Sequence, residues 1–111
     1  MPPSKLSALP DGRALVTLVG ELDLAVAPDL VTEMEYAVDQ VSPHLVLDLT
    51  GVDFIDSSGL TMLIRVRQIT DDRGGSLVLT GAGEALEHLL TLTRLDELFD
   101  VRPRSEVIGE A

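Results

Sequence analysis

Asp56-Ser57-Ser58-Gly59-Leu60 is the joint around which the rest of this chain falls into place. It follows two apolar runs, Leu45 to Leu49 and Val52 to Ile55, and it opens a segment with apolar residues at helical spacing. A strand that feeds a helix directly is a building step of α/β folds. Helix N-termini expose unpaired backbone N–H groups and a partial positive charge. Asp and Ser accept hydrogen bonds from such groups, which is a sufficient structural reason for finding them there. The same N–H groups also suit a phosphate. The residues alone leave both readings open.

Working toward the N-terminus, Leu45 to Leu49 reads as a strand. Pro28 to Val41 reads as an amphipathic helix, with Leu30, Val31, Met34, Ala37, Val38 and Val41 on one face. Pro28 suits a first helical position and Asp29 the positive end of the dipole. Ser42-Pro43 ends that helix. Arg13 to Gly20 is a strand apolar on both faces, which predicts a central place in a sheet. Lys5 to Leu9 predicts a short partner strand, joined to it by the turn Pro10-Asp11-Gly12. Strand, helix and strand with short connections imply a parallel crossover.

Toward the C-terminus, Arg73-Gly74-Gly75 breaks the chain and Ser76 to Thr80 is a further strand. Gly81 and Gly83 precede a helix with Leu86, Leu89 and Leu90 on one side. Leu98 to Val101 predicts a short last strand, and Pro103 to Ala111 a polar end with a brief helix. The expected fold is α/β: a small mixed, largely parallel sheet with helices.

With 111 residues and 45% hydrophobic residues, the expectation is one domain, 1–111, with a polar C-terminal end from about 103. No apolar run approaches the ~20 residues that span a bilayer. The N-terminus lacks a signal-peptide pattern, so a cytoplasmic location is expected. There is no cysteine, hence no disulfide or thiol chemistry. The formal charge is −11, from 19 acids against 8 bases. That argues against nucleic acid as a partner and against direct binding to anionic membranes. The acids are spread along the chain as on a solvated surface.

The helix after Ser57-Ser58 has an unusually wide apolar arc. Leu60, Met62, Leu63, Ile64, Val66 and Ile69 cover more than half its circumference, leaving Thr61, Arg65 and Gln68 as a polar stripe. A surface helix needs an apolar arc of only ~100° or somewhat more. Either the helix is deeply buried, or part of the arc beside Ser58 meets another protein. The acidic segment Glu21-Leu22-Asp23 follows the strand Arg13 to Gly20. Strand ends and the helix starts after them share one edge of a parallel sheet, so Asp23 is expected near Ser57-Ser58. There it either orients a serine hydroxyl or binds a metal held by a nucleotide, or it simply caps or turns the loop before Pro28. A phosphoserine would add roughly −1.5 to −2 charges beside Asp56. No phosphate-binding loop, nucleophile elbow or dinucleotide glycine pattern is present, and His44 and His88 have no metal-site spacing. An enzyme is not expected, nor a bound cofactor or resident metal.

Together these motifs resemble a STAS domain, specifically a stand-alone bacterial anti-sigma factor antagonist. The residues that carry the resemblance are Gly20-Glu21-Leu22-Asp23 with Pro28 and Leu30, Leu47-Asp48-Leu49, and Val52 through Leu60. Gly74-Gly75 before Leu77-Val78-Leu79, and Leu95-Asp96-Glu97-Leu98-Phe99, fit as well, so nearly the whole chain is covered in order. The resemblance implies helices packed mainly on one face of the sheet and a partner switch. The unphosphorylated antagonist binds an anti-sigma factor that is also a serine kinase, which frees a sigma factor. The kinase, using ATP and Mg²⁺, phosphorylates the antagonist and releases it. A metal-dependent Ser/Thr phosphatase restores it. Carried over, Ser58 is the phosphoacceptor and Ser57 a secondary site, with Asp23, Asp56 and Gly59 around them. Glu21, Asp23, Ser57, Ser58, Leu60, Thr61, Met62, Ile64 and Arg65 are the implied partner contacts.

Two other readings stay beside this one. An accessory subunit of a membrane transport complex would use the same fold through constitutive protein contact. It would not need phosphorylatable hydroxyls at Ser57-Ser58. A small nucleotide-binding domain is disfavoured, because the acidic loops Glu21 to Asp23 and Asp53 to Asp56 offer few cations to a phosphate.

Overall fold

The computed structural model describes residues 4–108. Its elements in chain order are β1 (Ser4–Ala8), β2 (Ala14–Leu22), α1 (Ala27–Gln40), β3 (His44–Ile55) and α2 (Ser57–Asp72). Then come β4 (Ser76–Thr80), α3 (Glu84–Leu92), a 3-10 turn at Leu95–Glu97, β5 (Asp100–Arg102) and α4 (Arg104–Val107). The strands form one sheet in the order β1-β2-β3-β4-β5. β1 pairs antiparallel with β2, and the remaining neighbours are parallel. The mixed, largely parallel sheet expected from the alternation of strands and helices is the one observed.

The pleat divides the residues between two faces. Ala14, Val16 and Leu18 of β2, Leu45, Leu47 and Leu49 of β3 and Leu77 and Leu79 of β4 belong to the main core. They pack there with Leu30, Met34 and Ala37 of α1, Leu63, Val66 and Ile69 of α2, and Leu86 and Leu90 of α3. Each such Leu or Ile, taken fully out of water, contributes about 1.5–3 kcal/mol. The opposite face is thinly covered: Val46 packs with Leu9 and Val107 in a small second cluster. Thus Leu15 and Thr17 are only half-buried and Val19 is exposed, so β2 is central yet apolar-packed fully on one face only.

Three boundaries differ from expectation. β2 runs on through Glu21 and Leu22, placing the acidic segment at the strand's own end. The runs Leu45 to Leu49 and Val52 to Ile55 are one continuous strand of 12 residues. An added Cβ at Gly51, between the two runs, would lie 2.8 Å from Val19 Cγ1, where the β2–β3 register shifts. A glycine inside a strand marks such a close approach. The last strand starts only at Asp100, and Phe99 is buried in the main core instead.

The brief helix expected in the polar C-terminal end is present and anchored. α4 buries Val107 against the second face, and Arg13 donates a hydrogen bond to its Val107 carbonyl at 3.1 Å. Arg104 reaches back to Asp48 of β3, Nε to Oδ2 at 3.2 Å. Residues 109–111 of that end lie outside the described ones. Among the described residues no helix is long and apolar enough to cross a membrane.

Candidate functional site at the first turn of α2

Asp56 is the N-cap of α2. Its backbone is extended, and Oδ1 accepts from the amides of Ser58 at 2.8 Å and Gly59 at 3.2 Å. One carboxylate therefore satisfies two of the orphan donors of the first turn. Of the two readings of this turn, a cap or a phosphate held by free N–H groups, the structure forms the cap. Capping by Asp56 leaves the serine side chains unemployed: neither hydroxyl makes a hydrogen bond among the described residues. Ser57 is exposed and Ser58 half-buried.

Gly59 locks this turn against the end of β2. A Cβ at that position would lie 2.5 Å from the Leu22 carbonyl oxygen and 2.5 Å from Ile55 Cγ1. The same carbonyl accepts from the Asp56 amide at 3.3 Å. The loop after β2 is thereby held beside Ser57 and Ser58, as the shared sheet edge predicted. The Asp23 side chain, however, is occupied within that loop. Its Oδ1 accepts from the Ala25 amide at 3.0 Å, and its carbonyl accepts from Val26 and Ala27. It makes no hydrogen bond to a serine hydroxyl among the described residues, and its side chain turns the loop.

Between this loop and α2 lies an apolar groove of about 390 Å³. Leu24, Ala27, Pro28 and Val31 form one wall. The other wall is the exposed stripe of α2, with Ser57, Ser58, Thr61, Met62 and Arg65. Leu24 is 73% exposed on this wall. It is the residue sequence reasoning missed; the available signal was a lone large aliphatic in an otherwise acidic and small-residue loop.

The remaining expected contacts sit elsewhere. Leu60 is buried, and Ile64 is half-buried and packs on the core. Met62 is 2% exposed and only floors the groove. The wide apolar arc of α2 is thus largely absorbed by the sheet beneath it and α1 beside it, so of its two readings the buried one holds for Leu60, Met62 and Leu63. Glu21 is exposed at the end of β2, opposite Phe54, and does not line the groove.

A second polar cluster lies on the thinly covered face. Asp48 is 3% exposed and accepts from the Thr50 hydroxyl at 2.6 Å and the Thr50 amide at 3.1 Å, besides Arg104. Burial pushes its pKa up, but the Thr50 hydrogen bonds and the Arg104 guanidinium together outweigh this and hold it below the usual carboxylate range. The cluster anchors α4; it shares no residue with the groove. Among the described residues no group of three or more His, Cys, Asp or Glu is placed to hold a metal ion.

The chain matches the family model of the STAS domain over residues 8–108. It is 31% identical over 91 residues to an anti-sigma-B factor antagonist of Bacillus subtilis, covering 82% of this chain and 83% of that one. The crystal structure of an anti-sigma factor antagonist from Mycobacterium paratuberculosis superposes with a TM-score of 0.77 at 30% identity, over 88% of this chain and 82% of the other. A STAS domain protein from Planctomyces limnophilus shares the fold, with a TM-score of 0.71 at 18% identity over 88% and 87% of the two chains. A five-stranded mixed sheet, a capped α2 carrying two serines and a match over nearly the full length agree, and the chain belongs to the STAS domain family.

Proposed function

We propose that this protein is an anti-sigma factor antagonist switched at Ser58. Unmodified, it binds an anti-sigma factor that is also a serine kinase, and a sigma factor is released. The kinase then transfers phosphate and the complex parts. A metal-dependent phosphatase resets the cycle. In the transfer, the Ser58 hydroxyl oxygen bonds to the γ-phosphorus of ATP, the bond to the β-phosphate oxygen breaks, and ADP leaves. The hydroxyl proton passes to a base of the kinase. This protein contributes the acceptor and its presentation, not a catalytic group.

The observation that carries the reading is the division of labour at the first turn of α2. Asp56 does the capping, and the serine hydroxyls beside it are unbonded and open on an apolar groove. A phosphate there adds roughly −1.5 to −2 charges. Burying an unpaired charge against apolar surface costs several kcal/mol, and each ~1.4 kcal/mol is about tenfold in affinity. One modification thus suffices to end the contact without unfolding the domain.

The test is incubation with the anti-sigma kinase and MgATP, read by intact mass and by affinity. Ser58→Ala is expected to keep binding and lose transfer, and Ser58→Asp to bind at least tenfold more weakly. Full stoichiometric transfer to Ser58→Ala would show that Ser58 is not the acceptor.

A further inference from the structure

The groove between the loop after β2 and α2 is mostly apolar, and the Thr61 hydroxyl in its wall is turned to the Ser57 carbonyl. Ser57 and Ser58 stand at one end and Arg65 at the other. Ser58, Met62 and Arg65 follow the i, i+4, i+7 rows of one helix face. At a rise of ~1.5 Å per residue, the serine and the arginine are about 10 Å apart along the helix axis. They bracket Met62 on the floor, with Leu24 and Val31 across from it.

Arg65 is unusual in its surroundings. The chain carries 19 acids against 8 bases. Arg13, Arg67, Arg73, Arg102 and Arg104 each lie within 4.0 Å of a carboxylate. Arg65 has no such partner among the described residues. The sequence explains why. Its helix neighbours at three and four positions are Thr61, Met62, Gln68 and Ile69, whereas Arg67 has Asp71 four residues on. Among the described residues a cation is therefore left unpaired on a strongly anionic surface, at the rim of the apolar groove beside the serines.

We propose that this groove receives an apolar side chain of the anti-sigma partner and that Arg65 pairs with a carboxylate on the same partner segment. The inference rests on the first turn of α2 being the partner-facing site, and it names the chemistry of the segment that docks there. The net charge of −11 repels acidic partners at long range. Arg65 acts only at contact, within the ~8–10 Å over which salt leaves a charge visible. The partner is thus basic or neutral overall, with a single acid set beside its apolar anchor. Such a pair fixes register and selects among related partners more than it adds affinity.

The experiment measures affinity for the anti-sigma kinase that phosphorylates this protein. Arg65→Ala is expected to weaken binding about tenfold, Arg65→Glu more, and Arg65→Lys less than either. Leu24→Ser, which removes the aliphatic wall, is also expected to weaken it. Arg94→Glu is the control. It is the other arginine with no carboxylate within 4.0 Å among the described residues, lies off the groove, alters net charge equally, and should bind as the parent does. A partner acid-to-lysine substitution that restores binding to Arg65→Glu would identify the paired carboxylate. If Arg65→Glu binds as tightly as the parent, or if Arg94→Glu weakens binding equally, the local pairing is overturned while the antagonist reading stands. If the parent protein itself neither binds the kinase nor accepts phosphate, the antagonist reading fails and takes the pairing with it. Sedimentation of the chain alone covers the remaining occupant: a dimer that Leu24→Asp dissolves would place a second copy in the groove and overturn the proposal.

Discussion

Gly59→Ala sets two effects of opposite sign against each other at the joint that carries the site. Gly59 is the third residue of α2. By helix propensity alone, alanine there should stabilise by about 1 kcal/mol. The packing says otherwise. The new Cβ would lie 2.5 Å from the Leu22 carbonyl oxygen, just under 1 Å closer than ordinary contact, and equally close to Ile55 Cγ1. Ile55 is half-buried and can turn aside. Leu22 cannot, because its side chain is fully buried and its carbonyl is bonded to the Asp56 amide. Overpacking costs typically ~1–3 kcal/mol, and a clash with backbone belongs at the upper end. The net expectation is a loss of about 2 kcal/mol after the propensity gain. For a domain near this size that is a fall of about 8 °C in Tm. Urea denaturation followed by far-UV circular dichroism measures it, with an unchanged slope as the sign of an intact two-state transition. A variant as stable as the parent, or more stable, would refute the claim that β2 and α2 are locked through this glycine.

Further outcomes follow from the same geometry. Asp56→Ala removes the acceptor of two first-turn amides and should cost about 1 kcal/mol, with Asp56→Asn recovering most of it; hydrogen exchange at Ser58 and Gly59 should quicken only in the alanine variant. Gly75→Ala should be more damaging than Gly59→Ala, since its Cβ would lie 1.9 Å from the Pro43 carbonyl oxygen, itself the acceptor for Ser76 N–H; a thermal scan ranks the two. The folded-state pKa of Asp48 is depressed, so its charge stabilises the fold above the usual carboxylate range and that contribution is lost as pH falls through the depressed value. Asp48→Asn should therefore lower stability at neutral pH, by about 1–3 kcal/mol for the weakened bonds, and give a flatter stability profile below about pH 4; an unchanged acid profile would count against Asp48 as a source of acid sensitivity.

The elements themselves were legible because their signals are local. Pro28 opens α1, Gly12 with φ +94° turns β1 into β2, and alternating apolar residues mark the strands. What was not legible depends on partners distant in sequence. The joining of Leu45 to Leu49 with Val52 to Ile55 runs through Gly51, whose close neighbour Val19 lies 32 residues earlier. Arg104 and Asp48 are 56 residues apart, so nothing in the polar C-terminal end announced an anchor. The width of the α2 arc was visible, but its cause was not. Burial of Leu60, Met62 and Leu63 needs both the sheet and α1 in place, and only then does the exposed remainder shrink to one stripe. At the site, Asp56 as cap and the nearness of the loop after β2 could be read from the chain. Leu24 as a wall could not, because its loop meets its partner wall only through α2, more than 30 residues on in the chain.

The cap at Asp56 also decides how a phosphate on Ser58 would act. A phosphate at a helix N-terminus is normally stabilised by free N–H groups and the positive end of the dipole. Here the amides of Ser58 and Gly59 already donate to a carboxylate, and that carboxylate offsets the dipole. The added charge finds no internal partner in the first turn, so folding it back into the helix gains little. It stays at the mouth of the groove, where an apolar partner would have to desolvate it. On the proposed function, a free, uncapped first turn would soften such a switch by absorbing the phosphate, whereas Asp56 as the cap would leave the electrostatic penalty to the complex.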